Sequence, residues 1–144
     1  MVWAPNNNAE HPLELVVTGE AEDWLPALSK IVGPRYLHTR RVRSDNELLE
    51  VVRTGQADAA VLDDDSPWDL DVLRLLRMIR RLDARLPVVV VTQHTDRRWL
   101  EDALQLAAHS VVVKPLELEE LLRQVHGVMS RLTRMLRDQH PGQR

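Results

Sequence analysis

The chain reads as an α/β domain with a doubly wound parallel sheet, and three observations carry that reading. Five short β-rich runs alternate with stretches of helical period. One run, "PVVVVT" at 87–92, is apolar almost throughout, as a central parallel strand covered on both faces must be. In the third helical stretch Val72, Leu75, Leu76 and Ile79 fall at i, i+3, i+4 and i+7, the single stripe of a helix lying on a sheet. At 144 residues and 44% hydrophobic, the chain has apolar material for one core and not for two. We therefore expect one domain over 12–128, a disordered leader at 1–11, and an extension of the last helix with a tail at 129–144.

The elements follow in order. "LELVV" (13–17) is a compact strand, and "EDWLPALSKIVG" (22–33) carries apolar residues at helical intervals up to Gly33, a C-cap. "RYLHTRRV" (35–42) alternates as an edge strand would. Ser44 and Glu47 form an S-x-x-E capping box ahead of Leu48, Leu49, Val51 and Val52, and Gly55 closes that helix. "ADAAVLD" (57–63) is the third strand and "PVVVVT" the fourth. Asp96 caps a fourth helix running to Ala108, "SVVVK" (110–114) is the fifth strand, and "PLELEELLRQV" (115–125) opens the last helix with Pro115 near its start.

Composition excludes several chemistries. The absence of cysteine removes disulfides, thiolate zinc sites and cysteine nucleophiles. No apolar run reaches the roughly 20 residues of a membrane span, and "MVWAPNNNAEHP" has neither a basic n-region nor an apolar h-region, so a cytoplasmic protein without a membrane partner is expected. A formal net charge of −3 argues against nucleic acid as a partner of this chain by itself. His38, His94, His109 and His126 lie apart without metal-ligand spacing and read as surface imidazoles. Five glycines form no phosphate-cradling loop after the first strand, and no G-x-S-x-G elbow is present, so no enzyme is expected. Arg40, Arg41 and Arg43, and then Arg74, Arg77, Arg80 and Arg81, read as solvated faces, the second set with a basic docking surface as its alternative.

In doubly wound sheets, ligands sit at the carboxyl ends of the strands. Here the strands end at Val17-Thr18-Gly19, Asp63, Thr92 and Lys114, which brings a carboxylate, a hydroxyl and an ammonium to one edge. Lys114 is one of only two lysines, with Lys30, among 19 basic residues.

Over about residues 12–128 the sequence resembles the receiver domains of two-component response regulators. The resemblance rests on "AAVLDDDSP", with Pro67 four residues after Asp63, on "VVVVT" ending in Thr92, and on "VVVKP" ending in Lys114-Pro115. It implies a flavodoxin-like sheet of strand order 2-1-3-4-5 and a role in phosphorelay signalling with a histidine kinase or other signalling protein as partner. It further implies Asp63 as phosphoacceptor, Thr92 as the hydroxyl for a phosphoryl oxygen and Lys114 as counter-ion. Pro67 would shape the loop after Asp63, and Pro115 would follow a cis peptide.

The sequence also departs from that pattern. Thr18 and Gly19 stand where the family has two acidic residues that hold magnesium with the phosphoacceptor. Magnesium wants carboxylate oxygens in near-octahedral geometry, so Asp63 alone predicts weak binding and no resident cofactor. Gln93 stands where a small residue opens the pocket, Val111 where the family has a switch aromatic, and Asp71 where glycine is common. These departures describe an atypical receiver with weak or no phosphorylation; the alternative is a competent one that takes a phosphoryl group on Asp63 with magnesium. Asp64 and Asp65 are expected as solvated loop residues, the alternative being that Asp64, Asp65 or Glu20 reaches back to restore a metal site.

Leu118, Val125 and Leu132 repeat every seven residues, as do Leu122, Met129 and Leu136. That stripe outruns the roughly fourteen residues that cover a sheet, and a homodimer through the last helix is expected to bury the excess. A frayed tail or the start of a linker to an output domain is the alternative.

Overall fold

The computed structural model describes residues 12–19, 24–65, 71–115 and 117–139; the expected leader at 1–11, Glu20 and Pro67 lie outside them. The elements run β1 (Leu13–Val17), α1 (Leu25–Val32), β2 (Leu37–Arg41), α2 (Asp45–Arg53), β3 (Ala59–Asp63), α3 (Val72–Leu82), β4 (Val88–Thr92), α4 (Arg97–Ala107), β5 (Ala108–Val113) and α5 (Leu118–Gln139). All strand pairings are parallel, in the order β2-β1-β3-β4-β5. This is the flavodoxin-like sheet, with the order reversing at β1 and β3.

Strand period sorts the side chains into two cores. Leu13, Leu15 and Val17 of β1 join Leu28 and Val32 of α1 and Leu121, Val125 and Val128 of α5. Val16 points the other way, with Leu48, Val51 and Val52 of α2, Leu75, Leu76 and Ile79 of α3 and Ala103 of α4. Every residue of β3 and β4 is buried, which is why those strands read as unbroken apolar runs. Both strands therefore deliver their last side chains, Asp63 and Thr92, from a rigid base.

Short polar contacts fix where the helices start. Ser44 Oγ accepts from Glu47 N at 3.0 Å, while Glu47 Oε1 accepts from Arg43 N at 2.9 Å, one residue before the N-cap. Asp71 caps α3 by accepting from Arg74 N at 2.9 Å, which gives the aspartate at that unusual position a structural purpose. Asp96 accepts from Trp99 N at 3.2 Å. Several boundaries differ from expectation, with β3 beginning at Ala59 and α5 at Leu118. β2 begins at Leu37 because residues 34–36 turn, and β5 begins at Ala108 with a register irregularity opposite Val88/Val89. His109, expected at the surface, is half-buried against α5: a Cβ on Gly127 would lie 3.3 Å from its ring, and burial, reinforced by Arg131, lowers its pKa. Among the described residues no helix is long and apolar enough to cross a membrane.

The apolar stripe of α5 meets this chain's own sheet. Val125 and Met129 are buried in the first core, and Leu118, Leu122 and Leu132 pack against it; the side chain of Leu136 lies outside the described residues. These five positions therefore already serve this chain's own core, Leu118, Leu122 and Leu132 remaining partly exposed. Leu121 and Val128, outside both heptad series, are buried as deeply, so the covered face is wider than a two-position seam. Leu121→Ala is expected to lower stability by about 2–5 kcal/mol and Leu132→Glu by about 1–3 kcal/mol. Urea denaturation checks both, and an unchanged midpoint for Leu132→Glu would return that residue to a solvent-facing seam.

Candidate functional site

The candidate site is built where β1, β3, β4 and β5 end together. Asp63 is the last residue of β3 and is 7% exposed. Its backbone N donates to Thr18 Oγ1 at 2.9 Å, so the first residue past β1 holds the end of β3 through a buried hydroxyl. Lys114 follows β5; its backbone N donates to Thr92 O at 2.7 Å, and the Lys114–Pro115 peptide is cis. From there Lys114 Nζ donates to Asp63 Oδ1 at 2.9 Å and also to Asp65 Oδ2. The ammonium thus bridges two carboxylates.

Asp64 does not behave as a solvated loop residue, while Asp65 stays exposed to solvent, with 47% of its side chain accessible, and still reaches Lys114. Asp65 N donates to Asp63 Oδ1 at 2.9 Å, a local turn that swings the Asp65 carboxylate round to Lys114. The Asp64 side chain is about as buried as that of Asp63 and accepts from the Thr92 hydroxyl, while its Oδ1 is buried without a hydrogen-bond partner among the described residues. One carboxylate oxygen from each of Asp63, Asp64 and Asp65 lies within 4.8 Å of the others. Thr92 is committed on both sides, since its Oγ1 also accepts from His94 N at 2.9 Å. Gln93 is exposed, with Nε2 3.4 Å from Asp65 Oδ2. Val111, at the switch position, is half-buried and packs on the second core.

His94 and Trp99 are the neighbours that motif reading missed. The His94 ring stacks on Trp99 of α4 with centroids 4.1 Å apart and planes 12° from parallel, and its Nε2 lies 3.8 Å from Asp64 Oδ2. The signal was the position of His94 two residues beyond a strand-end threonine, just ahead of a helix with an aromatic in its first turn.

Gly19 explains how Asp63 sits so close to Lys114. Its φ is +78°, and an added Cβ would lie 2.6 Å from Asp63 Cβ and 3.2 Å from Asp63 Oδ2. The backbone of β1's end therefore packs directly against the Asp63 side chain. Burial works against the Lys114 ammonium, but its hydrogen bonds to Asp65 and Asp63 outweigh it, and the pKa is raised above the ordinary 10.5. A separate cavity of about 390 Å³ between β1, β2 and the end of α2 is lined by Glu14, Arg40, Gln56 and Asp58, whose polar groups engage one another.

A parallel sheet in this order, with an aspartate, a hydroxyl and an ammonium at its carboxyl edge, defines a receiver-type α/β domain. The family model of the response regulator receiver domain matches residues 19–126, and the chain belongs to that family. It is 32% identical over 122 residues to the response regulator MprA of Mycolicibacterium vanbaalenii, covering 85% of this chain and 52% of that protein. It is 32% identical over 77 residues to the DNA-binding transcriptional regulator NtrC of Proteus hauseri, covering 54% of this chain and 16% of that one. The chain thus spans about half or less of the length of these relatives. Among solved structures, the receiver domain of a LuxO repressor protein from Vibrio parahaemolyticus matches with a TM-score of 0.75 at 16% identity, covering 92% of this chain and all of that one (100%). A CheY-like receiver domain protein from Methanospirillum hungatei JF-1 matches at 0.73 and 15%, covering 87% and 99%.

The family's magnesium finds a different donor set here. The Thr18 hydroxyl is buried and accepts from Asp63 N, Gly19 offers no side chain and abuts Asp63, and the ammonium of Lys114 already bridges two of the three carboxylates. Among the described residues the buried Asp64 Oδ1 has acceptor capacity inside the cluster without a donor. These residues do not fit a magnesium centre of the family's kind.

Lys114→Met strands Asp63 and Asp65 at a half-buried edge, and a loss of about 1–3 kcal/mol is expected, between the values for exposed and buried pairs. Because the folded pKa of Lys114 is raised, the pair's contribution is fully present below the ordinary lysine value of 10.5 and is lost as pH rises through the higher folded value. Denaturation of wild type and Lys114→Met should therefore converge at strongly alkaline pH. Gly19→Ala combines a positive φ with a steric clash and should cost about 2 kcal/mol or more; thermal denaturation reads this, and a neutral result would mean Asp63 has room to move.

Proposed function

We propose that this chain is a receiver module read by a signalling partner through protein contact, with Asp63 taking little or no phosphoryl group. The observation that carries the reading is the double engagement of Lys114. Its ammonium holds Asp63 Oδ1 and Asp65 together, and the same Asp63 oxygen also accepts from Asp65 N. A carboxylate that attacks phosphorus needs a free lone pair and a cation to screen the charge growing on the transferred group. In this arrangement one oxygen of the nucleophile is doubly bonded by donors, the other is packed against Gly19, and no acid stands at 18 or 19 to recruit a metal. The Thr92 hydroxyl, which the resemblance assigns to a phosphoryl oxygen, is turned to Asp64. A histidine kinase or another signalling protein remains the partner that the family implies.

One observation favours the alternative of a competent phosphoacceptor at Asp63. Three carboxylates approach within 4.8 Å with a single lysine among them, an excess of negative charge that attracts cations. Acetyl phosphate with magnesium chloride separates the two readings. The expected result is an unmodified intact mass and no beryllofluoride-induced amide shifts around Asp63, Thr92 and Lys114. A phosphoryl adduct that disappears in Asp63→Asn would overturn the proposal in favour of the alternative.

A further inference from the structure

α3 carries two kinds of arginine. Arg80 is half-buried and structural: its Nε donates to Leu106 O at 2.6 Å and its Nη1 to Asp83 O at 3.2 Å, tying the end of α3 to α4. Arg74, Arg77 and Arg81 are exposed, and their side chains have no hydrogen bond or ion pair among the described residues. They stand at i, i+3 and i+7, so they share one face and span about 10 Å of helix axis. Exposed Arg85 follows just past the helix, and Leu82, 43% exposed, lies at its end.

Several acids near the stripe are engaged elsewhere among the described residues. Glu50 on α2 is bonded to Arg53, Glu101 on α4 to Arg97, Asp71 to the backbone N of Arg74, and Asp83 to the backbone N of Arg85. The stripe does not help α3 to form. Like charges at i, i+3 and i, i+4 cost a few tenths of a kcal/mol each, and Arg74 in the first turn sits at the positive end of the helix dipole. In a chain where 22 acidic residues outnumber 19 basic ones, a helix face with three arginines unpaired among the described residues runs against the average.

We propose that the outer face of α3, through Arg74, Arg77 and Arg81, docks an acidic helix of a partner protein. Guanidinium forks match carboxylates in two-bond geometry, and glutamates at i, i+3 or i+4, and i+7 on a facing helix reproduce the spacing. Leu82 supplies the apolar contact that the core of such an interface requires. Charge argues for a protein over a polyanion. Nucleic acid and anionic membranes act through long-range fields, which a chain of net charge −3 meets with overall repulsion, whereas a short acidic stripe is felt only at contact. The surface does not rest on the state of Asp63.

The test is an NMR titration of the whole chain with a synthetic helical peptide bearing a glutamate stripe and one leucine. Its counterpart with glutamine for glutamate, a short duplex DNA, and vesicles of phosphatidylcholine with phosphatidylglycerol are titrated in parallel. The acidic peptide should shift amides of residues 72–85, and the triple variant Arg74→Glu, Arg77→Glu, Arg81→Glu should weaken it at least about tenfold. A triple glutamine variant, with wild-type circular dichroism, should weaken it as well, which separates lost charge from lost fold. Absence of shifts in 72–85, equal binding of the glutamine peptide, or undiminished binding by both variants would overturn the proposal. Binding of DNA or vesicles with the same arginine dependence would overturn it too, by assigning the face to a phosphate surface.

Discussion

Three carboxylates stand in succession where β3 ends, and a single ammonium bonds two of them. Two like charges about 5 Å apart repel by roughly 3 kcal/mol at an effective dielectric near 20, and an opposite charge at hydrogen-bond distance attracts more strongly than that. Lys114 between Asp63 and Asp65 therefore turns a repulsive edge into a bonded one, and the other polar groups arrange themselves around it. Asp64, outside its reach, takes the Thr92 hydroxyl, with the His94 ring near by and stacked on Trp99. One cation at the end of β5 thereby sets the geometry of the turn after β3 and, through Thr92, of the segment entering α4.

That arrangement depends on what is missing from β1. A side chain at position 19 would occupy the space that Asp63 fills, and a carboxylate there would compete for Lys114. The glycine and the lysine bridge are two halves of one adaptation: the first lets Asp63 lie against the backbone, the second gives its charge a permanent partner. Thr18 completes it by giving a buried acceptor to the backbone of Asp63, where an ionised residue would need a metal to stay buried.

The same economy governs α5. In this helix of 22 residues the described apolar positions from Leu118 to Leu132 serve the first core, with Leu121, Val125, Val128 and Met129 closing the face that α1 leaves open. Heptad spacing on a long helix is compatible with either a sheet or a partner helix, because both present a groove at nearly the same period.

What the sequence determined by itself is the fold and the edge at which the site lies. Five apolar runs with helical stripes between them admit one economical solution, and Asp63, Thr92 and Lys114 could be placed together because each closes a strand of a parallel sheet, a relation that needs only local period. The caps at Ser44 and Asp96 were legible for the same reason, since each acts within four residues of itself. The tertiary structure decided what depends on the direction of a side chain after the strand has ended. Whether Asp64 and Asp65 point to water or inward is set by the turn that Asp65 N makes on Asp63, by the backbone of Gly19 and by the reach of Lys114. The turn itself is local, but the contacts with Gly19 and Lys114 join residues up to 51 positions apart, which no local pattern carries.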